Sequence, residues 1–186
     1  MASGLGKRFG GNKLMADFGG EPMLARVLAS TDGLFARRVV VTRHEDVAAY
    51  CRTQGIEVLL HNLPYRSDTV RLGLETIGDL DGCMFCPADQ PLLSRNTLHA
   101  LIRSFAAEPG FIWRPACHHE PGSPVLFPKW AFGELLALPQ GKGGGYVAGQ
   151  HPNRVRLLPV DNPHELMDAD TPQALAQLLT FYNPSK

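Results

Sequence analysis

Glycine, lysine and arginine are concentrated near the amino terminus, in the stretch from Ala2 to Leu14. Glycines allow backbone N–H groups to approach anionic oxygens closely, because no Cβ lies between them. Arg8 offers a planar fork of donors and Lys13 a mobile positive charge, and both suit phosphate oxygens. The composition therefore indicates a polyphosphate-binding loop, although a surface turn with solvated cations would contain the same residue types.

The glycine spacing differs from the two best-known phosphate-binding patterns. Gly4 and Gly6 are followed by Gly10, one residue too late for the dinucleotide-binding pattern G-x-G-x-x-G. No Gly-Lys pair is followed by Ser or Thr, as a Walker loop requires. The spacing excludes these two loops and leaves another kind of phosphate loop open.

Asp89 stands where a divalent metal could be bound, and Asp170 stands where a helix could be capped. Asp89 follows the apolar run 82–86, which predicts a central strand, and ligands of open α/β sheets bind beyond the carboxyl ends of strands. The alternative for Asp89 is a loop carboxylate that caps the next helix. Asp170 or Thr171 can cap a helix that begins at Pro172.

Short apolar strands alternate with helices along the chain. This alternation indicates parallel βαβ units with helices on both faces of a sheet. The expected fold class is α/β, a three-layer α/β/α sandwich with a mostly parallel sheet, in a single domain over residues 1–186. Strands are predicted at 38–42, 57–60, 82–86, 110–115 and 155–160, and helices at 22–30, 45–54, 96–105, 129–138 and 172–182.

Charge and composition limit the classes of partner. The 186-residue chain has a formal net charge of zero and a pI near 7.0, so it carries no overall basic field that would attract nucleic acid. The sequence shows neither a membrane-length apolar run nor a signal peptide, which predicts a cytoplasmic protein without a membrane partner. Cys83 and Cys86 have C-x-x-C spacing, but a predicted buried strand disfavours a zinc or redox role.

Residues 2–13 resemble the signature loop of a known enzyme family. The pattern Ala-Ser-Gly-x-Gly-x-Arg-Phe-Gly-x-x-Lys is similar to that of the MobA-like NTP transferases, the nucleotidyltransferases of molybdenum cofactor synthesis. The resemblance implies a Rossmann-like nucleotide-diphospho-sugar transferase fold, in which this loop wraps the triphosphate of CTP or GTP. It implies catalytic roles for Arg8, Lys13 and Asp89, and nucleotide binding by Ser3, Gly4, Leu5, Gly6, Arg8, Lys13, Ser67 and Asp89.

Further family motifs follow in the family's order. They are Arg-x-Gly-Leu at 71–74, Ala-Asp-Gln-Pro-Leu at 88–92, Gly-x-Pro-Val-Leu-Phe at 122–127 and Asp-x-Asp-Thr-Pro at 168–172. By resemblance, Asp89 and Asp170 bind Mg²⁺. Asp168 is the second choice, after Asp170, for the second metal-binding aspartate. Ser67 lies in a segment that contacts the nucleotide in the family, and it is also a candidate N-cap of the helix that follows.

The region that faces the second substrate departs from the family pattern. Ser123 stands where the family usually has histidine, and His118 and His119 are nearby residues that could do similar work; a solvated loop is the simpler reading of the two histidines. Lys142 and Tyr146 replace the Asp and Arg that many members have in the second Gly-rich stretch. Lys142 is a candidate for binding a phosphate of the second substrate, and an exposed mobile loop is the alternative.

An expected element is missing before the glycine-rich loop. In the family that this chain resembles, the loop follows a central apolar strand, yet only Met1, Ala2 and Ser3 precede the first glycine here. We therefore expect either that the native start lies upstream or that the sheet lacks its first strand. The absence of a central strand would leave a core gap that destabilises the fold on the scale of large-to-small core substitutions.

The resemblance implies transfer of CMP from CTP to a molybdopterin-type cofactor, with release of pyrophosphate and with Mg²⁺ as the metal. Guanine-using relatives usually carry Ala-Gly-Gly where this chain has Ala2-Ser3-Gly4, which favours CTP. A molybdoenzyme that receives the cofactor is a further candidate partner. The alternatives are a guanylyltransferase, a sugar-phosphate or other alcohol-phosphate nucleotidyltransferase, and a non-catalytic chaperone that binds the molybdenum cofactor.

Overall fold

The computed structural model describes residues 1–4 and 9–182. Its strands are β1 (Val39–Thr42), β2 (Glu57–Leu60), β3 (Gly82–Phe85), β4 (Ile112–Cys117), β5 (Glu120–Pro121), β6 (Val125–Pro128) and β7 (Val155–Pro159). Its α-helices are α1 (Met23–Ser30), α2 (Glu45–Thr53), α3 (Arg66–Ile77), α4 (Arg95–Ala107), α5 (Phe132–Leu136), α6 (Gly144–Gln150) and α7 (Pro172–Phe181). Short 3₁₀ turns span Lys13–Met15, Lys129–Ala131, Pro152–Arg154 and Pro163–Leu166.

The strands form two hydrogen-bonded groups. β1 pairs with β2 in parallel, and Val39 stands opposite Glu57. In the second group β6 lies antiparallel between β3 and β4, while β7 runs parallel to the other side of β4. The predicted α/β class is confirmed, and the antiparallel strand β6 is an addition to the predicted strands.

Alternate residues of β1 face helices on opposite sides, as the period of a strand requires. Val40 belongs to one apolar core with Leu24 of α1 and Val47 of α2. Val41 faces α3, where Gly73 comes so close that a Cβ there would lie 3.3 Å from Val41 Cγ2. The sheet therefore lies between two helical layers, which is the predicted three-layer arrangement.

Three local predictions need correction. The predicted helix 129–138 is a 3₁₀ turn followed by the short α5. The second Gly-rich stretch is not all loop, because α6 begins at Gly144 and buries Val147 and Ala148. Ser67 is not an N-cap: α3 begins at Arg66, and the backbone N–H of the preceding residue, Tyr65, donates to Asp68 Oδ2 at 3.0 Å.

The thiols of the C-x-x-C pair are poorly suited to redox or metal chemistry. Cys83 and Cys86 are both free. Loss of solvation on burial raises the pKa of Cys83 to about 12 and that of Cys86 to about 11, so the reactive thiolate is disfavoured at both positions.

No helix within residues 1–4 and 9–182 is both long and apolar enough to span a bilayer.

Candidate functional site

Lys13 joins two aspartates that are far away in the sequence. Its Nζ donates to Asp89 Oδ2 at 2.6 Å and to Asp170 Oδ1 at 2.8 Å. Lys13 lies in a 3₁₀ turn that is capped by Asn12, whose side chain accepts from the N–H of Leu14. The residue is only 8% exposed, so its ammonium is held at the end of a buried stem. The three predicted residues are thus brought together.

Backbone contacts fix the two aspartates beside each other. The N–H of Ala169 donates to the carbonyl of Asp89 at 2.9 Å, and Ala169 is fully buried. Thr171 is the N-cap of α7, since its Oγ1 accepts from the N–H of Ala174. The structure therefore assigns the capping role to Thr171 and directs the carboxylate of Asp170 to Lys13.

The segment that carries Asp168 and Asp170 is braced from two sides. Glu165 Oε2 accepts from Thr97 Oγ1 at 2.6 Å and from the N–H of Ser94, which ties the segment to the start of α4. Gln90 Nε2 donates to Asp168 Oδ1 at 2.9 Å and to the carbonyl of Leu166. These bonds hold the acidic segment against the residues that follow β3.

Charge interactions inside the cluster are strong. Burial alone would lower the pKa of Lys13, but its hydrogen bonds to Asp170 and Asp89 outweigh this effect and raise the pKa above its ordinary value of 10.5. Although Asp168 is an exposed residue, its carboxylate loses solvation and is repelled by Asp89. Both effects raise its pKa. Lys13 is therefore charged at neutral pH and partly offsets the repulsion among neighbouring carboxylates.

Asp89 and Asp168 lie at the edge of a cavity of about 450 Å³. Two arginines, Arg43 and Arg66, also line the cavity. It thus combines acidic and basic side chains, which is what a site for a metal-bound phosphate chain requires. The other lining residues come from the amino terminus, from 64–70, from 85–87, from 123–127 and from Gly143 to Gly145.

Glycines let α6 approach the cavity wall closely. A Cβ on Gly143 would lie 2.7 Å from Arg66 Cδ, and one on Gly144 would lie 2.8 Å from Phe127 Cζ. Since Phe127 is fully buried, its ring cannot move away easily. The second Gly-rich stretch therefore shapes the wall that carries Arg66.

Ser3 is connected to the end of β2 through a histidine. Ser3 Oγ lies 3.0 Å from His61 Nε2 and donates to the carbonyl of Val41. His61 Nδ1 accepts from the N–H of Leu63 at 3.2 Å, so neutral His61 carries its proton on Nε2 and donates to Ser3. Burial and the charge of Arg43 lower the pKa of His61, which favours this neutral form.

Only some of the remaining predicted residues line the 450 Å³ cavity. Ser3, Gly4 and Ser123 line the 450 Å³ cavity, whereas Ser67 is buried and does not line it. Leu5, Gly6 and Arg8 lie outside the described residues.

The other candidates for the second substrate lie apart from this cavity. His118 and His119 form the turn between β4 and β5, with φ of 49° and 69°, and line a different concavity. Lys142 is exposed and lies near the ring of Tyr146, next to the glycines that line the main cavity.

Sequence reasoning missed Arg43 and Arg66, which line the cavity. Arg43 follows β1 at its carboxyl end, so the general rule for α/β sheets was a signal that could have identified it. Arg66 gave no such signal, because its position depends on how α3 packs against Gly143.

Asp89 and Asp170 are the residues that could hold a divalent metal ion. Both carboxylates lie within 2.8 Å of one cationic atom, Lys13 Nζ, so they converge on one point. No group of three or more His, Cys, Asp or Glu is arranged as a metal site in the part of the chain that the structure describes. Mg²⁺ commonly uses one or two carboxylates together with substrate phosphates, and this pair fits that pattern.

Sequence comparisons identify relatives of the chain. Residues 1–155 match the MobA-like NTP transferase domain. The bifunctional enzyme IspD/IspF of Rhodospirillum rubrum is 32% identical over 123 residues, which cover 60% of this chain and 32% of that enzyme. The 3-deoxy-manno-octulosonate cytidylyltransferase of Neisseria meningitidis is 41% identical over 61 residues, covering 32% of this chain and 24% of that protein. The chain thus spans about a third or less of the length of these relatives.

Solved structures share the fold over nearly the whole chain. Rv0371c from Mycobacterium tuberculosis H37Rv has a TM-score of 0.85 at 25% identity, covering 96% of this chain and 95% of that one. A manganese complex of the same protein has a TM-score of 0.79 at 22% identity, with coverages of 97% and 95%. Molybdopterin-guanine dinucleotide biosynthesis protein A from Archaeoglobus fulgidus has a TM-score of 0.74 at 19% identity, also with coverages of 97% and 95%.

Proposed function

Because the chain belongs to the family of MobA-like NTP transferase domains, we propose that it transfers CMP from CTP to a molybdopterin-type cofactor and releases pyrophosphate. The observation that carries this proposal is the convergence of Lys13, Asp89 and Asp170 beside the 450 Å³ cavity. A cation and two carboxylates at one point suit the handling of a metal-bound triphosphate.

The choice of CTP is supported by two sequence observations. The chain has Ala2-Ser3-Gly4 where guanine-using relatives usually carry Ala-Gly-Gly. The match at 41% identity is to a protein named as a cytidylyltransferase. The molybdopterin acceptor is supported by the motif order and by the fold shared with a molybdopterin-guanine dinucleotide biosynthesis protein.

The reaction requires positioning and charge rather than a general base. An oxygen of the acceptor's terminal phosphate attacks the α-phosphorus of CTP, and the bond from that phosphorus to the α,β-bridging oxygen breaks. Pyrophosphate leaves with the electron pair. Because the second pKa of a phosphate monoester is about 6, the attacking oxygen is already ionised at neutral pH and no side chain has to remove a proton.

Lys13 and the acidic residues have distinct tasks in this reaction. Lys13 places a permanent positive charge next to the leaving phosphates, where negative charge accumulates in the transition state. Asp89 and Asp170 would hold a divalent ion, which when bound neutralises phosphate oxygens. The manganese complex of the M. tuberculosis relative supports a divalent metal in this fold. By resemblance, Arg8 adds a further phosphate contact.

Arg66 and Arg43 are suited to the acceptor. Both line the cavity together with Ser123, which belongs to the motif that faces the second substrate in the family. Guanidinium groups bind phosphate through two parallel N–H···O bonds. We therefore assign the acceptor's phosphate to Arg66 and Arg43, in addition to Lys142, the residue that the sequence indicates for this phosphate.

Thermal unfolding with each of CTP, GTP, UTP and ATP, with and without Mg²⁺ or Mn²⁺, tests the donor. A nucleotide at 100 times its Kd stabilises the native state by about 2.7 kcal/mol, which is readily measured as a higher melting temperature. The expected result is a shift with CTP that requires the metal. A shift with GTP alone would replace the donor by GTP, and no shift with any nucleotide would contradict the proposal.

Release of pyrophosphate in the presence of molybdopterin cofactor then tests catalysis. The expected result is release that depends on CTP, metal and cofactor together. Binding of cofactor without any release, in a protein that also binds CTP, would favour the non-catalytic chaperone. Release with a sugar phosphate instead of the cofactor would move the protein to the sugar-phosphate nucleotidyltransferases.

A further inference from the structure

Two histidines hold the start of the glycine-rich loop from behind. Ser3 Oγ donates to the carbonyl of Val41 at 3.1 Å and lies 3.0 Å from His61 Nε2. His44 Nε2 lies 2.8 Å from the carbonyl oxygen of the next residue of the loop, Gly4. Ser3 and Gly4 line the 450 Å³ cavity, whereas neither histidine does. The two rings therefore act on the cavity through the residues that they hold.

The sheet places both rings at this end of the cavity. His44 and His61 follow β1 and β2, which are paired parallel strands and so end at the same edge. The N–H of His61 donates to the carbonyl of Thr42 at 3.0 Å, and the N–H of His44 donates to Thr42 Oγ1 at 3.1 Å. The backbone of each histidine is thus fixed to the last residue of β1.

The two contacts respond differently to a proton. A carbonyl oxygen only accepts, so the bond to Gly4 needs a proton on His44 Nε2, which both the charged ring and one neutral form provide. His61 Nδ1 accepts from the N–H of Leu63 at 3.2 Å, which only a neutral ring can do. Protonation of His61 would set two N–H donors against each other, whereas the contact of His44 would persist.

Charged groups near His61 keep it neutral at neutral pH. Burial lowers its pKa, the charge of Arg43 lowers it further, and Asp68 of α3 acts in the opposite direction. Asp68 is itself engaged, because its Oδ1 accepts from Arg71 at 2.9 Å. Thr69 Oγ1, at 3.4 Å from His61 Nε2, is uncharged. The ring therefore gains its charge only at acidic pH.

We propose that His44 and His61 form a histidine clamp that positions Ser3 and Gly4 for the nucleotide, and that protonation of His61 loosens the clamp and weakens nucleotide binding. The clamp rests on the proposed function, since Ser3 and Gly4 are nucleotide-binding residues only by resemblance to the family. Both histidines are positioning residues, because they hold binding groups and do not line the cavity themselves. Binding groups held in place lose less freedom when a ligand arrives.

Calorimetric titration with CTP and Mg²⁺ at pH 7.5 tests the two contacts. We expect His44→Leu and His61→Leu each to raise the Kd by about three- to tenfold, as the loss of one hydrogen bond requires. His44→Gln keeps an N–H donor and should bind within about twofold of the parent. His99→Gln, at an exposed position on α4, is the control. Parent-like binding by both leucine variants would overturn the proposal.

The same titration at lower pH tests the response of His61. Between pH 7.5 and pH 5.5, we expect the Kd of the parent to rise about three- to tenfold more than that of His61→Gln, whose amide does not take up a proton. The nucleotide's own terminal phosphate titrates equally in all samples, so the difference isolates His61. His44→Gln should follow the parent. An identical pH dependence in the parent and His61→Gln would overturn the pH-sensitive contact.

Nitrogen NMR of the imidazole rings tests the clamp without any nucleotide. We expect neutral His61 to carry its proton on Nε2, and a proton on Nδ1 instead would overturn the assignment. Failures of the clamp and of the proposed function are distinguishable. Weaker binding by the leucine variants without pyrophosphate release in any protein would refute the transfer alone. Unchanged binding with normal release would refute the clamp alone, and a parent that binds no nucleotide would overturn both.

Discussion

The Nζ of Lys13 lies 2.6 Å from Oδ2 of Asp89, although 76 positions separate the two residues. The same ammonium reaches Asp170, which is 157 positions away from Lys13. Three segments of the chain thus meet at one charge: the turn after the glycine-rich loop, the segment after β3 and the residues before α7.

Lys13→Met should stop the reaction and weaken the fold modestly. The variant leaves Asp89 and Asp170 without the ammonium they share, but solvent screens part of the loss because the Asp170 side chain is 39% exposed. We expect a loss of about 1 to 2 kcal/mol in urea unfolding and a fall of at least about 100-fold in pyrophosphate release. Lys129→Met removes an exposed ion pair with Asp79 and is the control. Undiminished release by Lys13→Met would refute the catalytic role.

Asp89→Asn should weaken the response to metal. The substitution keeps the size of the side chain and removes the charge that attracts Mg²⁺. We expect the Mg²⁺ concentration for half-maximal activity to rise at least about tenfold, measured as pyrophosphate release against metal concentration. Asp161→Asn, at an exposed position away from the 450 Å³ cavity, is the matched control. An unchanged metal response in Asp89→Asn would remove Asp89 from the metal site.

Arg66→Ala should impair use of the acceptor more than use of CTP. A hydrogen bond to a charged group contributes about 1.5 to 3 kcal/mol, so we expect the KM for the acceptor to rise by roughly 10- to 100-fold. The KM for CTP should change little. Arg103→Ala, at an exposed position on α4, is the control. Equal effects of Arg66→Ala on both substrates would assign Arg66 to the nucleotide instead.

His61 should make stability depend on pH in the weakly acidic range. Its pKa is lowered in the folded state, so the unfolded chain binds the proton more readily below the ordinary value of 6.5. The contribution of neutral His61 to folding stability is fully present above pH 6.5 and is lost as the pH falls through the folded-state pKa. In urea unfolding between pH 7.5 and pH 5, we expect the free energy of unfolding to decrease less in His61→Gln than in the parent protein. The exposed His99→Gln should behave like the parent, and a parent-like decrease in His61→Gln would contradict the assignment.

Gly144→Ala and Gly149→Ala should have opposite effects although both lie in α6. A Cβ at Gly144 would meet the buried Phe127 ring at 2.8 Å, and such overpacking typically costs about 1 to 3 kcal/mol. A Cβ at Gly149 meets no described atom within 4 Å, so alanine should stabilise the helix by up to about 1 kcal/mol. Denaturant unfolding of the two variants measures both. A stable Gly144→Ala protein would show that the cavity wall is not closely packed.

The cysteine pair illustrates how far local pattern alone can go. The alternation of a strand predicted that Cys83 and Cys86 would not act together, and the structure gives them raised pKa values in an apolar environment. The histidines of the β4–β5 turn illustrate the opposite case. His118 and His119 are close to Ser123 in sequence, yet the chain reverses between them and only Ser123 lines the 450 Å³ cavity.

Local sequence patterns predict the features that depend on neighbouring residues. These are the strand before Asp89, the helix that begins at Pro172, the alternating α/β order and the concentration of glycine and cationic residues before Leu14. Each follows from backbone preferences or from the period of apolar residues over a few positions.

Which of these features come into contact depends on the packing of the whole fold. Lys13 contacts Asp170 only because the buried Ala169 binds the backbone of Asp89, and Arg66 lines the cavity only because glycine at 143 leaves room for its side chain. Such contacts join residues far apart in the chain, and they depend on the packing of all the elements between them, which no local pattern specifies.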